Sequence, residues 1–415
     1  MAAPGWDRLW TGVQLATMTD RSLGVIRNGA IASAGGRIAW VGREVDLAAG
    51  QRREAAEVIP CGGAWMTPGL IDCHTHIVFG GDRSDDFRRR LHGESYSDIA
   101  RGGGGIMSTV RATRLASMEE LTRSAAARGR ELGGWGVTTI EVKSGYGLDL
   151  ETELRMLEVA AALPRHIPAD ISPTLLAAHA IPPEYAGRRS DYLKLILEAI
   201  LPAALEQGHA TAIDAFCEDI AFTPGEARAV LEAGIDAGLH GRLHADQLSD
   251  LGGGALAAET GALSADHLEY LSDAGVRAMA SAGVCAVLLP GAAYTLGADR
   301  LPPVRALRRA GVTMAVATDA NPGSSPITNV GMILNLACIR FGLTPEEALL
   351  GFTSAAARVL GLEDDRGTLE PGKRADLALW DVEDPAQLCY WMGASPLSSL
   401  VRDGVPLAVA PSSPG

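Results

Sequence analysis

The sequence predicts an α/β fold, a (β/α)8 barrel with a small β-sandwich module formed by the N- and C-terminal segments. Three observations predict it. Eight short β-type runs alternate with Ala-, Leu-, Arg- and Glu-rich helical stretches in the middle of the chain, the count that a closed parallel barrel requires. The two ends carry Gly-broken alternating runs instead, in the style of hairpins. Residues with ligand chemistry stand at the C-terminal ends of five of the eight runs, the face on which such barrels keep their chemistry.

Taken in order, residues 1–64 hold Val25-Ile-Arg-Asn-Gly-Ala-Ile31 and Gly36-Arg-Ile-Ala-Trp-Val-Gly42, read as strands of the small module. The barrel is expected over 65–355. Its strands are read at Leu70–His76, Val137–Lys143, Ile171–His179, Ala212–Cys217, Leu239–His244, Leu263–His267, Val284–Leu289 and Val312–Asp319. The long gap at 77–136 includes Arg101 and four glycines after it, read as a flexible loop over the barrel mouth, followed by helix. Residues 356–415 return to the small module through Gly367-Thr-Leu-Glu-Pro-Gly-Lys-Arg-Ala-Asp-Leu-Ala-Leu-Trp380 and end in a frayed tail.

Composition bounds the function. Hydrophobic residues make up 47% of 415, enough for a large core and against global disorder. The net charge of −14 argues against nucleic acid as a partner and demands a local cationic clamp for any anionic substrate. The N-terminus lacks a basic and an apolar signal region, and no apolar run reaches the ~18–20 residues of a membrane span. Six cysteines without CxxC spacing fit a reduced, cytoplasmic protein.

The run Pro68-Gly-Leu-Ile-Asp-Cys-His-Thr-His76 sets two imidazoles on one face of a strand, since side chains at i and i+2 point the same way. Two neutral imidazoles are half of a shell for zinc or a similar metal. Cys73 alternates to the other face and is read as packing. His179, His244, His267 and Asp319 occupy matching strand ends. A metal held by His74, His76, His244 and Asp319 would make hydroxide accessible at neutral pH, with a carboxylate to take the proton.

With these motifs, and with Gly367, Gly372 and Ala375-Asp376 in the split sheet, the chain resembles the amidohydrolase superfamily, whose members hydrolyse C–N bonds of cyclic amides, amidines and nucleobases. The most specific stretches are His74-Thr-His-Ile-Val-Phe-Gly-Gly-Asp-Arg83, Ile140-Glu-Val-Lys-Ser-Gly-Tyr-Gly-Leu148, Leu243-His-Ala-Asp-Gln247, Ala265-Asp-His-Leu-Glu-Tyr270 and Thr318-Asp-Ala-Asn-Pro-Gly323. They are similar to the branch that opens the lactam of 4-imidazolone-5-propanoate to N-formimidoyl-L-glutamate. The resemblance implies one zinc or iron ion and a homodimer. It implies that Arg83, Tyr146, His179 and Tyr96 hold substrate, Arg83 as the bidentate clamp for the propionate.

Gln247 stands where deaminases of the superfamily place a proton-carrying Glu. An amide orients a ring but cannot act as acid or base, which favours ring opening over deamination. Asn321, Gly323 and Ser324 follow Asp319 and are expected to read the ring or product. Strand four ends Asp214-Ala-Phe-Cys-Glu218 without the Lys that bridges two metals elsewhere, so one metal is expected, with Glu218 keeping a second site open. Lys143 is either part of the clamp or structural. His267 is either the base, acting with Asp319, or a further ligand. The competing readings are a mononuclear deaminase of an aminated heterocycle and a non-catalytic binding barrel.

Overall fold

A computed structural model describes residues 5–48, 50–94, 98 and 102–407. Among these the chain builds two eight-stranded sheets. The first begins with β1 (Trp6–Ala16), β2 (Val25–Ala34), β3 (Arg37–Arg43), β4 (Ala55–Pro60) and β5 (Trp65–Pro68). The second comprises β6 (Leu70–Asp72), β7 (Val137–Lys143), β8 (Asp170–Ala178), β9 (Ala212–Cys217), β10 (His240–Ala245), β11 (Ser264–His267), β12 (Cys285–Leu288) and β13 (Met314–Val316). The chain then returns to the first sheet with β14 (Leu377–Trp380), β15 (Leu397–Arg402) and β16 (Val405–Leu407).

The second sheet runs β6 to β13 in sequence order, all parallel, with helices between the strands. Parallel strands covered on both faces should read as continuous apolar runs, and every residue of β7 is buried. Where β7 carries Glu141 and Lys143, the interruption of that run marks the site described below.

β6 and β13 are short and meet only beyond their ends. Asp319 N donates to His74 O at 3.0 Å, and His76 N donates to Ala320 O at 3.0 Å. Asp72 reinforces the seam, its carboxylate accepting from Thr318 N at 3.1 Å and Thr318 Oγ1 at 2.6 Å. The barrel is therefore closed at its mouth by the segments that carry His74, His76 and Asp319. Regular strand stops at Asp72 and Val316, short of the expected His76 and Asp319, because these segments turn to aim their side chains inward. Cys73 lies buried among β12, β13 and the helix Ser354–Leu360, on the face away from the histidines.

The first sheet has the order β16-β15-β14-β5-β1-β2-β3, with β4 beside β1. It curls on itself. Ile38 N donates to Lys373 O at 2.8 Å, and Gly372 N donates to Ile38 O at 2.8 Å. Trp10, Val13, Leu15, Ile31, Met66, Leu377 and Val401 fill the space enclosed. Trp65–Pro68 pairs within this sheet, and helix Ser354–Leu360 packs on the barrel. The sheet therefore extends to residue 68 and resumes only beyond Leu360, a few residues from the expected 64 and 356. The sheet leans on the barrel at the start of β7. There a Cβ on Gly136 (φ +83°) would come within 2.6 Å of the Trp380 ring, so only glycine fits. That contact is at the opposite end of the strands from the site.

Helices fill the connections with ordinary capping. Ser117 with Glu120, Thr223 with Glu226 and Thr344 with Glu347 form reciprocal capping boxes. The gap before β7 holds the helices Ser84–Leu91, Ile106–Leu115 and Met118–Gly133, with Arg101 outside the described residues. No helix among the described residues is long and apolar enough to cross a membrane.

Candidate active site

The barrel mouth gathers what the strand ends promised. His74, His76 and His244 are buried, and their ligand atoms lie within 4.8 Å of one another. The Nε2 atoms of His74 and His76 are 3.3 Å apart. Asp319 Oδ1 lies 3.5 Å from His74 Nε2 and 3.6 Å from His76 Nε2. Tetrahedral donors at about 2.0–2.1 Å from a metal stand roughly 3.4 Å from one another. These separations and the mixed nitrogen–oxygen donors fit a single first-row metal ion.

The other ring nitrogens show how the donors are aimed. His74 Nδ1 donates to Asp266 Oδ2 at 2.6 Å, which leaves the Nε2 lone pair facing the centre. His244 Nδ1 lies 2.9 Å from Asp214 Oδ2. Burial, first of all, holds His74, His76 and His267 well below the ordinary imidazole range, so they are neutral and able to donate at pH 7.

Beneath the histidines lies a buried ionic network. Lys143 Nζ is 2.9 Å from Glu141 Oε1, 2.9 Å from Asp214 Oδ2 and 3.9 Å from Asp266 Oδ2. Arg242 Nη1 donates to the same Glu141 oxygen at 3.0 Å and to Thr174 Oγ1 at 3.1 Å. Burial works against the Lys143 charge, but Asp214, Glu141 and Asp266 outweigh it and hold the ammonium above its usual range. Lys143 thus sits beneath the histidines, paired with buried carboxylates, which fits the structural one of its two expected roles. Sequence reasoning gave this network no role. Its signal was present: Glu141 and Lys143 are charges two apart within an apolar strand, on one face by alternation.

Around the mouth, His179 Nδ1 donates to Gly145 O at 3.0 Å, and its ring stacks at 5.3 Å on His76. Tyr146 packs 5.8 Å from His76 and 5.5 Å from His179. The Tyr146 loop is shaped by the buried Glu153, whose carboxyl accepts from Gly145, Gly147 and Leu148 N–H groups. Arg83 stands at the start of helix Ser84–Leu91, its Nε paired with Asp86. Its Nη1 lies so close to the loop after β13 that a Cβ on Gly323 would come within 3.0 Å of it. Arg83 and Gly323 are therefore neighbours across the mouth, from opposite ends of the barrel sequence. Tyr96 lies outside the described residues.

Two expected residues serve their own loops. Asn321 donates to Asp319 O at 2.6 Å and Ser324 Oγ at 2.9 Å, and accepts from Gly323 and Ser324 N–H groups at 2.8 and 2.7 Å. These bonds hold Ser324 near Asp319, Ser324 Oγ donating to Asp319 Oδ2 at 3.4 Å. Glu218 accepts from Gln247 N and Leu248 N at 2.8 Å each and from Ser249 Oγ at 2.5 Å. It shapes the loop that presents Gln247.

His267 stands beside the group of His74, His76 and His244, its ring centroid 5.8 Å from that of His74 and 5.4 Å from that of His244. His267 and Leu268 both have positive φ, 79° and 73°, as does Asp319 at 51°. Such conformations cost side-chain-bearing residues about 1–3 kcal/mol each and are kept where surrounding structure enforces them.

Burial holds Asp72 and Asp319 at about 7 and Glu269 at about 8. In the unfolded chain all three ionise near 4, so between the two values the folded state binds more protons and stability falls as pH rises. The depressed histidines act in the opposite sense only below about 6.5, their unfolded value. Metal-free protein is therefore expected to melt at a lower temperature at pH 8.5 than at pH 6.5. Thermal melts after chelator treatment check this, and a rising melting temperature would contradict it.

A family model for the amidohydrolase family matches residues 65–410, and the chain belongs to that family. Among curated proteins, imidazolonepropionase of Ralstonia nicotianae is 53% identical over 98% of this chain and all of its own length. Imidazolonepropionase of Hyphomonas neptunium is 52% identical, covering 96% of this chain and 99% of its own. Within the amidohydrolases the chain groups with the imidazolonepropionases. Solved structures bear out the fold. An adenosine deaminase from Xanthomonas campestris with bound zinc superposes with a TM-score of 0.72 at 19% identity, over 97% of this chain and 92% of its own. An atrazine chlorohydrolase variant from Arthrobacter aurescens gives 0.70 at 20%, over 97% and 95%.

Proposed function

We infer that the protein hydrolyses the cyclic amide of 4-imidazolone-5-propanoate to N-formimidoyl-L-glutamate, a step of histidine degradation. The observation that carries this reading is the placement of a guanidinium, Arg83, across the mouth from Gly323, beside a donor set spaced for one metal. A ring bearing a carboxylate arm needs both. His74, His76, His244 and Asp319 would hold the ion, and zinc and iron both accept such donors. When bound, the ion supplies Lewis acidity toward the ring carbonyl and lowers the pKa of water.

The chain's own groups do the rest. Arg83 turns its Nη face to the propionate, while Tyr146, His179, Gln247 and Ser324 border the ring, and Asn321 and Gly323 shape the loop beneath it. Tyr96 joins them at the rim by the family resemblance. His179, its Nδ1–H committed to Gly145, offers Nε2 as an acceptor. Asp319 and His267 receive the proton of the attacking water. Protonation of the ring nitrogen then lets the C–N bond break.

The test is loss of imidazolonepropionate absorbance by metal-loaded enzyme, with and without chelator; no turnover by loaded enzyme sinks the reading. Arg83→Met is expected to raise KM roughly 10- to 100-fold with a much smaller change in kcat, since a hydrogen bond to a charged group is worth about 1.5–3 kcal/mol. An unchanged KM would remove Arg83 from the clamp.

A further inference from the structure

One buried carboxyl in the site keeps an oxygen without a hydrogen-bond partner among the described residues. Glu269, two residues past His267 in the turn after β11, is 4% exposed. Its Oε2 is buried without a hydrogen bond, and so is His267 Nδ1. The two groups face each other, with Glu269 Oε1 4.0 Å from His267 Nδ1. Beyond burial, the charges of Asp319 and Glu218 act on the carboxyl in the same direction. A buried carboxyl without a partner costs folding free energy, and replacing it by a group that pairs or packs would recover that cost. Its backbone neighbourhood is strained as well, His267 and Leu268 both being left-handed. By contrast, the other buried carboxylates around the site (Glu141, Asp214, Asp266, Glu153, Glu218) each have named partners.

We propose that Glu269 is a further catalytic residue of the ring opening inferred above, forming with His267 the pair that carries the proton from the attacking water to the departing ring nitrogen. The need for such a carrier follows from Gln247, an amide that cannot take up or release a proton in this range. As the water oxygen bonds to the ring carbonyl carbon, the carbonyl π pair moves onto its oxygen and one water proton passes to the His267–Glu269 pair. When the tetrahedral centre collapses, the C–N bond breaks and its electrons stay on nitrogen. Nitrogen takes the proton from Glu269, and the pair returns to its starting state with only water consumed. Burial, which holds Glu269 at about 8, keeps its two protonation states close in energy at neutral pH.

The proposal rests on the assigned reaction, so turnover by metal-loaded wild-type enzyme is measured first; its absence would sink that assignment and this proposal with it. With wild type active, Glu269→Gln is expected to lower kcat on the order of 100-fold or more, with KM and metal content close to wild type and with equal or higher thermal stability. The pH profile of kcat should lose a limb. Returning a carboxyl at position 247, in the double variant Gln247→Glu with Glu269→Gln, should restore part of kcat. Glu269→Asp, which keeps a carboxyl one methylene shorter, should lie between the two and serves if the Gln variant folds poorly. Wild-type kcat and an unaltered pH profile in Glu269→Gln would overturn the proposal. So would loss of metal, which would make Glu269 part of the metal's support.

Discussion

Lys143→Met is expected to destabilise the metal-free protein by roughly 3–5 kcal/mol, the usual cost of removing one partner from a buried ion pair. The substitution strips the cation from a fully buried cradle in which Glu141, Asp214 and Asp266 lie 2.9, 2.9 and 3.9 Å from its Nζ. Arg242 is engaged with Glu141 and Thr174 and reaches neither aspartate by a hydrogen bond. The effect should extend upward. Asp266 aims His74 and Asp214 aims His244, so their loss of charge or position should weaken metal affinity about 10- to 100-fold, as for other partners of metal-bound histidines. Urea unfolding of the metal-free variant and chelator competition on the loaded one measure the two parts. Arg at 143 should not rescue either, because its larger fork has no room in a site with no exposed surface. Wild-type metal affinity in the Met variant would mean that the aspartates hold their histidines unaided.

His267→Ala and His244→Ala should separate chemistry from metal binding. The first is expected to lower turnover about 100-fold or more with metal retained, because a lost proton acceptor or oxyanion donor is worth roughly that much. The second should lose the metal and with it essentially all turnover. Metal content by elemental analysis alongside kcat distinguishes them. Release of metal from His267→Ala would move that residue among the ligands.

The charge balance around the site links these expectations. Four carboxyls beneath and beside the histidines (Glu141, Asp214, Asp266 and Asp319) face two fixed cations, Lys143 and Arg242. A metal cation at the mouth would offset part of that carboxyl charge. Its removal should therefore be felt in the stability of the whole barrel and not only in activity.

Much of the site was legible because barrel geometry repeats. Each strand ends at the same face, so a histidine or aspartate closing an apolar run is placed there without further information. His74, His76, His244, His267 and Asp319 were found in this way, and so was the opposed direction of Cys73. The charges of β7, β9, β10 and β11 were harder to assign. Glu141, Lys143, Asp214, Arg242 and Asp266 derive their roles from contacts between strands far apart in sequence, and a charge within an apolar run reveals only that it must be paired. Loop roles were also hidden. Asn321 and Glu218 carry groups suited to ligand or metal, but whether a carboxylate or amide turns to the site or to its own backbone depends on loop conformation.

By itself the sequence determined the barrel and which strand-end side chains stand at its mouth, since period-two alternation and strand count fix these, and its motifs carried the likeness to the amidohydrolases. Only the tertiary structure decided that Lys143 lies beneath the histidines, that Arg83 meets Gly323 across the mouth, and that Glu269 is buried beside His267 with its Oε2 unpaired. Each of these depends on distances between strands and loops remote in the chain, and on which buried charges find a partner there, quantities that no local pattern of residues encodes.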